Sequence, residues 1–592
     1  MHASAHGQGG LRLAAITGLD TAVVAWDVPE PASRGGLQGF TAFLVDSQKG
    51  KGWFLKNHRD NGSSHRCPIQ RFRWTIYGLR PGAGYTLYVW PVFEGTGPVP
   101  IEGPSSDRRG PMPTEASLAR AGRLEFRTET NDQRLIQIQT NRGTYAMPSP
   151  PRLAGNEGEE GERRFLGRGL EEFIAGFVVF AGSDDREPSI LAHAVDEPVI
   201  GEAISSIKHM RLLVDEHAPA NDGSDVLKQM RKVRRKAFQV RTKQDTTYFS
   251  TQNAVIARGE SGNPVAVLIS SADFSAEGIY AQANHAMVIA DPGVAAAFQE
   301  RFDALWGPDD APGVSDRKAV KASAASKGFI ELDVQDGDET VPVALTFAPH
   351  TWSPRAKSGM DFNRVAAMIG EARHGVFFAQ SLLDDVVISK ALKDAAGRGV
   401  PVYGLIDRVN DSTDPDTIGF VSPATIDRTD AATLTETAAL APEGFPAWSG
   451  TPEVRVHHQV MVIDPGTPEA VTISSSGAFT AAASKLDDNH LLIIRNQRVA
   501  DIFFAEIIRL YDTYRYRYLI GPDGGAHNAR RPKPWWQHAY EGPGIPAREQ
   551  FLPLAKEQRP GAGLSGRERR AAIRKKYTVM VAGLAAAATA DK

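Results

Sequence analysis

The feature that most constrains this chain is a repeat. Ile190-Leu191-Ala192-His193-Ala194-Val195 is a strand-like apolar run. It passes through Asp196-Glu197-Pro198 into a helix-like stretch ending near Ile204, and then into Met210-Arg211-Leu212-Leu213-Val214-Asp215. Val376-Phe377-Phe378-Ala379-Gln380, then Val386 to Leu392, then Val402-Tyr403-Gly404-Leu405-Ile406-Asp407 repeat the order: strand, amphipathic helix, strand ending in Asp. Short apolar runs alternating with helical periodicity imply layered α/β structure. Two copies imply two related halves.

The pattern continues downstream of each copy. The second half holds Val456-His457-His458-Gln459-Val460-Met461-Val462-Ile463-Asp464, whose run Val460 to Ile463 reads as a buried strand. On an extended chain His457 and Gln459 would share one face and His458 would take the other. Val471 to Thr480 and Leu486 to Ile494 follow. The first half offers Phe249 to Ile256, Val267 to Gly278 and Gln282-Ala283-Asn284 in the same order.

This ordered series, met twice over about residues 165–520, resembles the phospholipase D superfamily. His457 to Asp464 has the spacing of that family's His-x-Lys-x-x-x-x-Asp motif, with Gln459 in the Lys place. Ser475 and Ser476 take the Gly-Ser places of its Gly-Ser-x-Asn-Phe-Thr segment, and Ala478 takes the Asn place. Asn489 stands where the family has an acidic residue that orients an imidazole. In the first half Thr251 takes the place of the nucleophilic His, Asn253 that of Lys, and Asp273 that of Asn, while Arg258 stands where Asp would fall.

The resemblance implies a two-repeat α/β domain with pseudo-twofold symmetry and no cofactor. It also implies a chemistry: one imidazole attacks phosphorus to give a phosphohistidine, a second protonates the leaving oxygen, and lysines stabilise the phosphoryl oxygens. This chain offers one such His and neither Lys. Loss of one oxyanion stabiliser alone costs about a hundred- to a thousandfold, and Asp273 repels an anionic phosphate. The expectation is therefore an inactive or reassigned phosphodiesterase fold that binds phosphate-bearing lipid or nucleic acid, or protein partners. His457 and Asp464 would be its catalytic remnants. Thr251, Asn253, Ser271, Asp273, Gln459, Ser475 and Ser476 would line the ligand, Ser271 and Ser476 as phosphate donors. Two alternatives stay open: an active phospholipase or nuclease in which Asp464 orients His457, and a structural assembly component. The bland reading of the His pair is hydrogen-bonded groups at a sheet edge. No metal site is expected, because His457 and His458 would face opposite ways and the lone Cys67 is distant in sequence.

Residues 11 to about 115 differ in pattern. Thr21 to Pro29, Gly39 to Val45 and Arg71 to Ile76 alternate apolar and polar. Leu79-Arg80-Pro81-Gly82-Ala83-Gly84-Tyr85, followed by an alternating strand, resembles the fibronectin type III module, with Tyr85 as its corner tyrosine and Trp26 as its buried Trp. Such a β-sandwich would bind a protein partner or act as a spacer.

The domain reading is a sandwich over 1–115, repeat 1 over 116–310, a linker over 311–327, repeat 2 over 328–521, and a Pro/Gly-rich, basic segment over 522–592 that contains Trp535-Trp536. A net charge of -3 argues against a general polyanion binder. Lys228 to Lys236 is nonetheless a basic run that either faces a phosphate backbone or is a solvated helix face. One cysteine precludes an internal disulfide and, with no leader-like segment and no run able to span a bilayer, suggests a cytoplasmic protein.

Overall fold

The computed structural model describes residues 2–6, 11–28, 36–56, 63–70, 72–102, 112–143, 158–215, 218, 224–232, 238–243, 251–307, 317–353, 355–398, 400–406, 429–433 and 456–520. Asp407, the basic run beyond Lys232, the Trp535-Trp536 pair and the whole 522–592 segment lie outside them.

The N-terminal alternation builds two four-stranded antiparallel sheets. One has the order His2–His6, Arg12–Thr17, Thr21–Asp27, Arg73–Tyr77; the other has Lys51–Phe54, Leu37–Asp46, Gly84–Phe93, Gly122–Arg127. Their inner faces share one core, which includes Trp26, Phe40, Leu87 and Phe126. Trp26 packs on Phe40 with ring centroids 5.7 Å apart. The buried Tyr85 accepts the Arg80 N–H on its hydroxyl at 2.8 Å and stacks on Phe126. The strand Gly122–Arg127 pairs with Gly84–Val89 and carries the sandwich past the expected boundary at 115. Its strict in–out burial is itself a period-two signal.

Two larger sheets follow. The first runs Phe238–Lys243, Met210–Asp215, Ser189–Ala192, Asn253–Arg258, Pro264–Ser270, His285–Ile289, Ile136–Thr140. The second runs Thr429–Thr433, Val402–Ile406, Val376–Gln380, Val460–Ile463, Val471–Ser475, His490–Arg495, Glu339–Phe347, Ile330–Asp336. Apart from the added Ile330–Asp336, the two orders match strand for strand. Matching parallel bridges join Val195 to Phe274 and Leu383 to Phe479.

Central strands such as Ser189–Ala192 and Val376–Gln380 are buried throughout, as expected when both sheet faces are covered. Neighbouring residues serve different cores. Ile190 points to the outer core under helices Leu170–Ala181 and Pro198–Ser205, and Leu191 points to a central core shared by both lobes. Helices Met360–Glu371 and Val386–Gly397 cover the second sheet's outer face. Helices Pro292–Trp306 and Gln497–Ile520 fill the central core. Helix starts follow local chemistry: Glu197, Asp291 and Asp385 each cap their first turn, with Pro198 and Pro292 in the opening positions.

The long helix Gln497–Ile520 also carries the sandwich. Asp512 takes Arg73 at 2.6 Å and the Thr75 hydroxyl at 2.8 Å. A Cβ on Gly18 would sit 3.1 Å from the Ala505 Cβ, so a side chain there would push the two bodies apart.

Candidate functional site

The corresponding motifs of the two lobes meet at the lobe boundary. Val456 forms a parallel bridge with Ala283, and the His457 N–H donates to the Ala283 carbonyl at 2.9 Å. The half-buried His457 ring has Nδ1 2.8 Å from the Ser271 carbonyl oxygen. A carbonyl only accepts, so Nδ1 carries a proton. In the matching place of the first lobe, the Thr251 hydroxyl donates across the boundary to Asn489 Oδ1.

The two residues in the Lys places do not present a cation, and both are pinned by their amides. Gln459 Oε1 accepts the Ser381 N–H at 3.2 Å and its Nε2 donates to the Ser381 hydroxyl. Asn253 Oδ1 accepts the His193 N–H at 2.9 Å and its Nδ2 donates to Asp273 at 2.9 Å. Both side chains are buried. Gln459 has φ 48°, and the strand starts only at Val460. The expected shared strand face of His457 and Gln459 is therefore interrupted by a left-handed residue. Asp273 stays half-exposed, and its charge adds to burial in raising the Asp196 pKa.

The serines are drawn inward. Ser271 Oγ donates to Asn284 Oδ1 at 2.9 Å and accepts the His285 N–H at 3.0 Å. Ser475 donates to the His490 carbonyl at 2.9 Å. Ser476 accepts the His490 N–H at 3.0 Å, and among the described residues no acceptor takes its own O–H.

Asp464 is not brought to the site. It sits at the far end of the four-residue strand Val460–Ile463, about 13 Å long. Its carboxylate accepts the backbone N–H groups of Arg373, His374 and Gly375 at 2.6 to 3.0 Å. That carboxylate fixes a turn, so the expectation that it orients His457 is corrected.

The structure adds residues that the motif reading passed over. His285 and His490 open matching strands, and both are buried. Burial pushes the His490 pKa down to about 3. Burial, with His458 next to it, holds His285 well below the usual imidazole range. Both rings are neutral. His458 turns away from His457 into the central core, with its Nδ1 3.4 Å from His285 Nδ1. A sequence signal existed: Asn284-His285 and Asn489-His490 repeat the same dipeptide in both halves. Beside His490 lies a small cavity lined by Ala348, His350, Asp361, Ser484 and Asn489. The matching place in the first lobe is filled by Asn141, whose amide donates to Ile279 and Gln282 carbonyls at 2.8 and 2.7 Å. Among the described residues no group of three or more His, Cys, Asp or Glu is arranged to hold a metal ion, and no helix is long and apolar enough to cross a membrane.

Residues 365–511 match the model of a family described as "Cardiolipin synthase, PLD-like domain". The second lobe carries a PLD-like domain. Among solved structures, phosphatidylserine synthase of Haemophilus influenzae Rd KW20 is 12% identical with a TM-score of 0.38, over 58% of this chain and 84% of its own. Polyphosphate kinase of Porphyromonas gingivalis is 12% identical with a TM-score of 0.37, over 62% of this chain and 53% of its own. The phospholipase D family member Nuc of Salmonella typhimurium is 17% identical with a TM-score of 0.20, over 28% of this chain and 90% of its own. Likenesses this weak carry no argument about what the PLD-like lobe does. No curated protein matches the chain.

Proposed function

We propose that both lobes are PLD-like repeats related by a pseudo-twofold axis, that the boundary between them is a phosphate-ester seat, and that turnover there has been lost. The observation that carries this is the fate of the two Lys places. Asn253 and Gln459 are buried and tied to the loops at His193 and Ser381, so no cation from either place meets phosphoryl charge. Thr251 adds a hydroxyl where a second imidazole would stand. Electrostatic stabilisation of the transition state is usually the largest single contribution to such catalysis, and here its two protein sources are missing together. The Ser476 hydroxyl, with the half-buried His457 ring at the same boundary, is the group we assign to the ligand. The sandwich, with its buried Trp26 and the Tyr85 corner, reads as a fibronectin type III-like module.

A second reading, an active phosphodiesterase, is favoured by one observation only: the Nδ1–H bond to the Ser271 carbonyl fixes the orientation of the His457 ring at the boundary, as a nucleophile needs. The test is the purified chain and its His457→Ala variant on bis(p-nitrophenyl) phosphate, phosphatidylcholine and single-stranded DNA. We expect no turnover from either protein, and binding of a phosphate ester that the variant loses. Turnover by the native chain that vanishes in the variant would sink the proposal and establish the second reading.

A further inference from the structure

Behind His457 a buried polar chain crosses from one lobe to the other. The Ser474 hydroxyl lies 3.2 Å from His285 Nε2, and His285 Nδ1 lies 3.4 Å from His458 Nδ1. His458 Nε2 then lies 3.5 Å from Glu506 Oε1 on the helix Gln497–Ile520. That last separation is long and indirect for a hydrogen bond, so it acts chiefly as a charge facing a ring N–H. Glu506 Oε2 takes Arg168 at 3.0 Å and Arg509 Nε at 3.0 Å, and Oε1 takes Arg509 Nη2 at 2.5 Å. Arg168 also clasps Asp20 of the sandwich and donates to the Thr140 hydroxyl at 2.9 Å. The side chains of Ser474, His285, His458 and Glu506 are all buried.

The direction of every proton in this chain follows from one end. Burial alone would raise the Glu506 pKa, but Arg509, His458 and Arg168 outweigh it and hold the carboxyl well below its usual range. An ionised carboxylate only accepts, so His458 carries its proton on Nε2. His458 is neutral, because burial lowers its pKa more than Glu506 raises it. Its Nδ1 must then accept, and His285 must carry its proton on Nδ1. His285 Nε2 is left to accept from Ser474. Ser271 is consistent with this, since its own O–H goes to Asn284 and its oxygen lies 3.3 Å from His285 Nδ1.

We infer that Glu506 is a positioning residue for the boundary site: its charge sets the tautomers of His458 and His285 together, and this holds the His457 backbone against the first lobe. His458 is the next residue to His457, whose own N–H and ring are fastened to Ala283 and Ser271 of that lobe. His285 belongs to the same lobe, on a strand paired with Pro264–Ser270. The His285–His458 contact is thus a second fastening of the same joint, and Glu506 decides in which direction it is made, and so whether the His285 Nδ1–H also faces the Ser271 oxygen 3.3 Å away. Arg168 and Asp20 make the sandwich part of this support. The inference rests on the phosphate-ester reading only for its ligand readout.

Glu506→Gln is the discriminating variant. Arg168 and the Arg509 Nε share one oxygen and can only donate, so they take the amide oxygen; the NH₂ then faces His458 and pushes Arg509 Nη2 off the second position. His458 Nε2 must then accept, and both ring tautomers invert. The experiment is nitrogen-resolved NMR of histidine-labelled full-length protein, with bis(p-nitrophenyl) phosphate titrated in. In the native chain we expect His458 protonated on Nε2 and His285 on Nδ1. In Glu506→Gln we expect inversion of both and about a fivefold weaker affinity for the ester, the size of one lost neutral hydrogen bond, because the bare His285 Nδ1 then faces the Ser271 oxygen at 3.3 Å. Ser474→Ala keeps the charge that sets the direction, so both tautomers and the affinity should stay within about twofold of native. Unchanged tautomers in Glu506→Gln overturn the inference. If that variant does not fold, inverted tautomers in Ser474→Ala overturn it, since the hydroxyl would then be the director. Inverted tautomers in Glu506→Gln with no ester bound by the native chain support the relay and refute the phosphate seat instead.

Discussion

Glu197 gives the sharpest test of the electrostatics. It is 1% exposed, and Oε2 caps the helix Pro198–Ser205 by accepting the Ile200 N–H at 2.8 Å. Its other oxygen has a poor partner. The Tyr280 hydroxyl lies 3.3 Å away but donates to Glu171 instead. Burial, followed by the charge of Glu171, pushes the Glu197 pKa from 4.5 up to about 7. A raised carboxyl pKa means the folded state holds a proton that the unfolded state has released. The stabilisation is fully present below pH 4.5 and is lost as pH rises through about 7. A displacement of that size corresponds to about 3 kcal/mol. Glu197→Gln keeps the capping oxygen and removes the charge, so it should match the native chain near pH 4.5 and exceed it by about 3 kcal/mol at pH 8. For a lobe of this size that is a calorimetric midpoint roughly 6–10 °C higher. Asp501, pushed up to about 6 by burial, titrates in both proteins and cancels in the comparison. An equal difference at both pH values, or none at pH 8, would refute the assignment of the buried proton to Glu197.

Three further outcomes follow from packing. Ala348→Asn would force a three-atom amide into a buried cavity beside His490 with room for about one water, and should lower stability by about 1–3 kcal/mol in urea unfolding. In Gly477→Ala the new methyl would collide with the Asn489 amide; we expect a loss of about 1–3 kcal/mol together with weaker ester binding, because Asn489 holds Thr251. Asp488→Ala strips the buried Arg301 of a partner 3.1 Å away and should cost about 3–5 kcal/mol, read as a lower melting midpoint.

The strand–helix–strand repeat was legible because its strands are short, apolar and bounded by capping residues. Asp196-Glu197-Pro198 and Asp384-Asp385 announce their helices in the sequence. The chain did not show that Gln459 adopts a left-handed conformation, which breaks the face it was expected to share with His457. It did not show that Asp464 serves a turn, since spacing along a motif says nothing of which end of a strand a carboxylate reaches. Glu506 was out of reach altogether: 48 residues separate it from His458, and only tertiary packing joins them. The repeated Asn-His dipeptide was visible and would have pointed to His285 and His490. The strand Gly122–Arg127 was also visible, as a plain alternation beyond the turn-rich stretch that suggested a boundary.

The helix Gln497–Ile520 is a wall common to the sandwich and the PLD-like lobe. Synthesis proceeds from the N-terminus, and domains tend to fold as they emerge. The sandwich can therefore close its own core while the rest is still being made, yet the surface that receives Arg73, Thr75 and Gly18 does not exist until the last described element has left the ribosome. The lobes must likewise wait for that helix to complete their shared interior. Assembly of the described residues is thus timed by their last helix, and a ribosome stalled before residue 497 would hold a finished sandwich beside two lobes whose apolar inner faces remain open to chaperones.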